Sequence, residues 1–187
     1  MRPLIAATAL IAFGALPACA MESETPASAS RMAHPDAVAT LADASGAAKG
    51  TASVWSTGHG LRILVHATGL QPGTYGLHIH AVGKCEGPAF ASSGAHWNPT
   101  MKQHGRDNPA GAHEGDIPNI TIGADGSGEV DAEIHGAMLS GRPEALLDAD
   151  GASVMIHAAA DDYRTDPSGN SGARMVCGVF AAHAHGH

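Results

Sequence analysis

Thr74-Tyr75-Gly76-Leu77-His78-Ile79-His80-Ala81 reads as a strand whose two faces differ in kind. Side chains two apart in an extended chain project to the same side, so Leu77 and Ile79 turn towards a core while His78 and His80 stand together opposite. A His-x-His pair alone leaves two readings open: a wet sheet face carrying unligated imidazoles, or two donors converging on one ion. Similar short segments surround it. Residues 37–42, 50–56, 61–67, 120–122, 128–134, 152–157 and 175–181 are strand-like and are separated by glycine-rich turns, with 57–60 as a hairpin connection and 124–128 as another turn. With 74–81 they make eight strands, which predicts an all-β antiparallel sandwich or barrel.

Composition agrees with that class. Aromatics are 4% and charged residues 15% of the 187 residues, while 24 Gly and 11 Pro supply turns rather than long helices. The formal charge is -8 and no dense Lys/Arg run occurs, which argues against nucleic acid or an anionic membrane surface as a partner. Two long irregular stretches, 82–119 and 161–174, interrupt the strands, and loops of that size in a compact domain usually carry function.

The first of these stretches holds His96, His104, His113 and Asp116, three imidazoles and one carboxylate, a full tetrahedral set for zinc. Gly105, Pro109, Gly111 and Gly115 leave it little core of its own, so a bound metal would hold its shape. Together with His78, His80 and His157, the order and spacing read as two metal sites sharing one ligand, the pattern of a redox metalloenzyme.

The N-terminus suggests export. Met1-Arg2 is followed by an apolar run from Leu4 to Leu16 and small residues at Ala18, Cys19 and Ala20, the pattern of a secretory leader over residues 1–20. The run falls short of the roughly 20 residues a membrane span needs. Two cleavage readings stay open: after Ala20, or before Cys19 as in a bacterial lipoprotein, which would give a lipid anchor through Cys19. Residues 21–33 then form a flexible linker, 34–182 the folded domain and 183–187 a His-rich tail (His183, His185, His187). His59, His66 and His135 read as surface or partly packed side chains.

The motifs Gly76-Leu77-His78-Ile79-His80, Gly94-Ala95-His96-Trp97-Asn98-Pro99, His104-Gly105, His113-Glu114-Gly115-Asp116, His157-Ala158-Ala159-Ala160-Asp161-Asp162 and Gly172-Ala173-Arg174-Met175-Val176-Cys177-Gly178-Val179 occur in one order along the mature chain. In this the sequence resembles the copper/zinc superoxide dismutases, particularly their bacterial exported branch. The resemblance implies an eight-stranded antiparallel Greek-key barrel with a metal-binding loop and an electrostatic loop. It makes His78, His80, His96 and His157 copper ligands, and His96, His104, His113 and Asp116 zinc ligands, with His96 as the bridge. Asp161 becomes the carboxylate linking a copper-side to a zinc-side histidine, where the residue type alone suggests only a solvated loop aspartate. Arg174 becomes the cation that draws and orients superoxide, and His96 the group that passes on a proton. Cys85 and Cys177 become a disulfide, which an oxidising compartment such as the periplasm or cell envelope permits. The implied reaction converts superoxide to dioxygen and hydrogen peroxide by alternating reduction and reoxidation of copper, with zinc structural. Trp97 stands where the family usually has Phe. The resemblance also admits a homodimer, without indicating its interface.

Overall fold

A computed structural model describes residues 34–183. The leader, the linker, Cys19, His185 and His187 lie outside the described residues. Among the described residues nine strands form: β1 (Ala37–Asp43), β2 (Ala48–Ser56), β3 (Gly60–Ala67), β4 (Gly73–His80), β5 (Asp116–Ile122), β6 (Gly128–His135), β7 (Ser153–His157), β8 (Arg174–Val179) and the two-residue β9 (Ala181–Ala182). All pairings between these strands are antiparallel, in the order β5-β4-β7-β8-β1-β2-β3-β6, with β9 added to β1. The result is the expected all-β, nearly closed eight-stranded barrel, in which β3 pairs with β6 and β4 with β7 across the long connections.

The alternation that the sequence displays is what fills the interior. Leu61, Ile63, Val65 and Ala67 of β3 face inward and are fully or almost fully buried, while Arg62, Leu64 and His66 face out. Strands β4 and β7 depart from this pattern, since every residue from Gly76 to His80 and from Ser153 to His157 is buried. One face of each packs on the core and the other lies beneath the two long loops.

Two expectations change in detail. The fifth strand begins at Asp116, not at Ile120, so Asp116 sits on a strand instead of in the loop. Pro118 hid this, because a proline inside a ladder removes a donor. It is accommodated because β5 is an edge strand and the register with β4 slips there, between Tyr75 and Leu77. The last predicted strand divides into β8 and β9 around Phe180, whose side chain is buried. A third irregular stretch, between β6 and β7, is plugged into the core by Leu146 and Ala145.

Cys85 and Cys177 form a disulfide with a Cα–Cα distance of 5.7 Å across 92 residues of chain. It ties the loop after β4 to β8. In the chain-entropy account, closing so long a loop contributes about 4–5 kcal/mol.

Candidate metal centre

The strand ladder brings the site together. His78 pairs across β4–β5 with Asp116, His157 pairs across β7–β8 with Arg174, and an isolated bridge joins His80 to His96. His78 and His80 are 0% and 1% exposed, which rules out the wet-face reading of that pair. Metal-ligating atoms gather in two groups, each within 4.8 Å: one from His78, His80, His96 and His157, the other from His78, His96, His104 and Asp116.

Hydrogen bonds show which nitrogen each ring has free. His80 gives Nδ1 to the Gly94 carbonyl at 2.9 Å and His157 gives Nδ1 to the Gly172 carbonyl at 3.2 Å. Their Nε2 atoms then face each other at 3.4 Å. His78 and His104 give Nε2 to opposite oxygens of Asp161, at 2.7 and 3.0 Å. The Nδ1 of each is buried without a hydrogen-bond partner. Neutral imidazole binds a metal through one nitrogen while the other is held by a carbonyl or carboxylate, and all four rings have this form.

In the second group, Nδ1 of His96, His104 and His113 lie 2.9, 2.9 and 3.1 Å from the single oxygen Asp116 Oδ1. The His104 contact is out of line for a hydrogen bond, so it leaves that nitrogen orphaned. Four tetrahedral donors at zinc bond lengths stand about 3.3 Å apart, close to these spacings. The other oxygen, Asp116 Oδ2, is fixed by the backbone N–H groups of Gly105 and His113, at 2.9 and 3.0 Å. His113 stands slightly outside the tighter cluster but points Nδ1 at the same oxygen.

Both His78 and His96 border both groups. One nitrogen of His78 is committed to Asp161, so it can serve only one ion. His96 has Nδ1 at Asp116, its ring centroid lies 5.0 Å from that of His80, and among the described residues none hydrogen-bonds its Nε2. It alone can serve both.

Burial acts differently on the two sides. It pushes His80 down to about 2, His157 to about 3 and His96 to about 4, so these rings stay neutral. His104 is also pushed down by burial, but the negative charge of Asp116 in close contact and the hydrogen bond to Asp161 outweigh this and raise it to about 9. Burial would raise Asp116 and Asp161, yet their histidine partners hold both well below the usual carboxylate range.

Arg174 is anchored by Phe90 O at 2.8 Å, Ser93 Oγ at 3.0 Å and Gly94 O at 2.7 Å. The Gly94 carbonyl thus holds both Arg174 and His80. The guanidinium borders an open hollow lined by Pro88, Ala89, Ala91, Gly172 and Ala173, small residues around one cation. Asp161, which residue type alone would leave solvated, is 4% exposed. Its backbone N–H and C=O are both paired with the Asn119 side chain at 2.9 Å, and Tyr163 N–H donates to its Oδ1 at 2.7 Å. Neither Asn119 nor Tyr163 stands out in the sequence.

The chain matches the family described as copper/zinc superoxide dismutase (SODC) over residues 48–180. It is 41% identical over 150 residues to a copper-zinc superoxide dismutase of Caulobacter vibrioides, covering 77% of this chain and 84% of that one. It is 46% identical over 127 residues to the superoxide dismutase-like protein YojM of Bacillus subtilis, covering 67% of this chain and spanning 65% of that protein's length. A crystal structure of a SOD-like protein from Bacillus subtilis superposes with a TM-score of 0.72 at 43% identity, covering 76% of this chain and 96% of that one. With the barrel, the paired donor clusters and these similarities in agreement, the chain belongs to the copper/zinc superoxide dismutase family.

Proposed function

We propose that this chain converts superoxide to dioxygen and hydrogen peroxide, with copper held by His78, His80, His96 and His157 and zinc by His96, His104, His113 and Asp116. The observation that carries the reading is the position of His96 between two donor sets. When bound, copper supplies the one-electron change and zinc, which has no second oxidation state, a fixed charge.

The chain's own groups do the rest. Arg174 places a fixed positive charge beside the hollow. Its burial lowers its pKa, but arginine stays protonated. The substrate is an anion and the protein is net negative, so attraction has to be local. Carbonyls at Phe90 and Gly94 aim the guanidinium. His96 can hold a proton at Nε2 and pass it on while Nδ1 keeps the ring oriented at Asp116. Asp161 fixes the tautomers of His78 and His104, and so the direction in which each offers its remaining nitrogen.

Export to the periplasm or cell envelope belongs to the same proposal, supported by the leader-like residues 1–20 and by a disulfide that an oxidising compartment would keep. An acyl anchor at Cys19 rests on the lipoprotein-like end of the leader, and a homodimer on the family resemblance. Fractionation and mass measurement of the native protein test all three.

Superoxide decay measured with the copper- and zinc-loaded protein tests the activity. Full loading without catalysis would leave a copper-binding module instead. Arg174→Ala should lower the second-order rate about tenfold and flatten its dependence on salt. An unchanged rate would remove Arg174 from the site.

A further inference from the structure

Strands β5 and β6 close the barrel side by side yet share no ladder, being the two ends of the hydrogen-bonded order. Beside this seam lies a cleft of about 270 Å³ whose lining includes Glu133 and His135 of β6, Lys102 and Glu114 of the loop, and two donors of the zinc group, His113 and Asp116. We propose that this seam, and not the hollow beside Arg174, is the path by which zinc reaches and leaves its site, with Glu133 and His135 the first groups to hold the ion. The inference rests on the reading of His96, His104, His113 and Asp116 as zinc donors.

Three observations support it. The first is reach. Among the four donors the His113 side chain is the most exposed, at 8%, against 4% for His96, 2% for Asp116 and 0% for His104. Two of the four line the seam, whereas none lines the hollow beside Arg174. The second is charge. Asp116, Glu114 and Glu133 face one Lys102 in the cleft, while the hollow presents a guanidinium that attracts anions and repels cations. Substrate and cofactor carry opposite charges, and the two openings are charged to match.

The third is the pair itself. Glu133 and His135 stand two apart at the end of β6, on one face, with Nε2 and Oε2 3.9 Å apart and side chains 57% and 75% exposed. An oxygen and a nitrogen donor so placed can take an ion that still keeps most of its waters, since zinc accepts both donor types. Beside Asp116, which lines the cleft, the Nδ1 of fully buried His104 stands without a hydrogen-bond partner, 2.9 Å from Asp116 Oδ1. The function assigned to the centre uses neither Glu133 nor His135.

The test uses full-chain, disulfide-intact protein depleted of zinc and mixed rapidly with Co²⁺, which reports a tetrahedral site by its visible absorption. The double variant Glu133→Gln/His135→Ala should take up the ion about five- to tenfold more slowly than the wild type. It should reach the same final spectrum, because neither residue is a final ligand. Glu129→Gln, which removes an exposed charge from the far end of β6, should leave the rate unchanged. Arg174→Ala should also leave it unchanged. Equal rates in the double variant and the wild type would overturn the proposal, as would faster uptake by Arg174→Ala, which would place the path at the hollow. If the wild type itself gave no tetrahedral spectrum, the zinc assignment would fall and take the route with it.

Discussion

The two halves of the metal centre are built from the same residue type and held in opposite ways. His80 and His157 stand on strands and are fixed by the loop carbonyls of Gly94 and Gly172, and burial keeps them neutral. His104 and His113 come from a loop and converge on a carboxylate whose negative charge is locked in by hydrogen bonds. The first arrangement offers lone pairs with no net charge and suits an ion whose charge must change. The second concentrates negative charge on one oxygen, leaving the loop to be completed by a fixed cation. Asp161 and His96 are the two side chains that join the halves.

The strongest way to break this contrast is to remove one donor from each side. His157→Ala should lower superoxide turnover about 100-fold or more, since loss of a ligand is at least as severe as loss of an outer-shell partner. His113→Ala should instead loosen the loop: zinc content should fall, and Tm should drop by about 10 °C, the size expected for a few kcal/mol in a domain of this length. Its turnover per bound copper should remain well above that of His157→Ala. Equal turnover in the two variants, with Tm unchanged in His113→Ala, would show that the halves do not divide the work.

Asp161→Asn probes the link between them. The carboxylate accepts from His78 on one oxygen and from His104 on the other. An asparagine has one oxygen, so its amide group must face one of two ring N–H donors. One histidine then loses its partner or turns to the wrong tautomer. Zinc affinity, measured by competition with a chelator, should fall about 10- to 100-fold. The copper spectrum should shift as well, since His78 shares the residue. An unaltered affinity would make Asp161 a packing group only.

The division between what the sequence discloses and what it conceals follows the same physics. His78 and His80 were legible because strand periodicity places alternate residues on one face, and the Gly- and Pro-rich loop announced itself by composition. Asp116 is legible as a donor but not as part of a strand, since Pro118 two residues on fits a ladder only because it sits at an edge bulge. Arg174 could be named, but its anchors could not. Two of the three are the carbonyls of Phe90 and Gly94, and a main-chain acceptor leaves no mark in residue identity. Asn119 is invisible for another reason. Its two bonds to Asp161 span 42 residues and depend on a loop conformation that exists only in the folded barrel.

Gly169 supplies the finest adjustment, and its substitution the smallest expected effect. Its φ is +61°, a conformation that favours glycine, and an added Cβ would collide with Asp161 Oδ1 and lie 2.6 Å from His104 Nε2. Gly46 has a similar φ of +84°, but nothing lies within 4 Å of its missing Cβ. Gly46→Ala therefore carries only the backbone penalty of about 1 kcal/mol, whereas Gly169→Ala adds an overpacking term of about 1–3 kcal/mol. The difference should appear as a further loss of about 5 °C in Tm for Gly169→Ala. It should come with weaker zinc retention, because the displaced group is the oxygen that orients His104. Gly46→Ala should leave zinc retention unchanged. If the two variants melted alike and kept zinc alike, Asp161 would have room to move, and the coupling between the halves would reside in His96 alone.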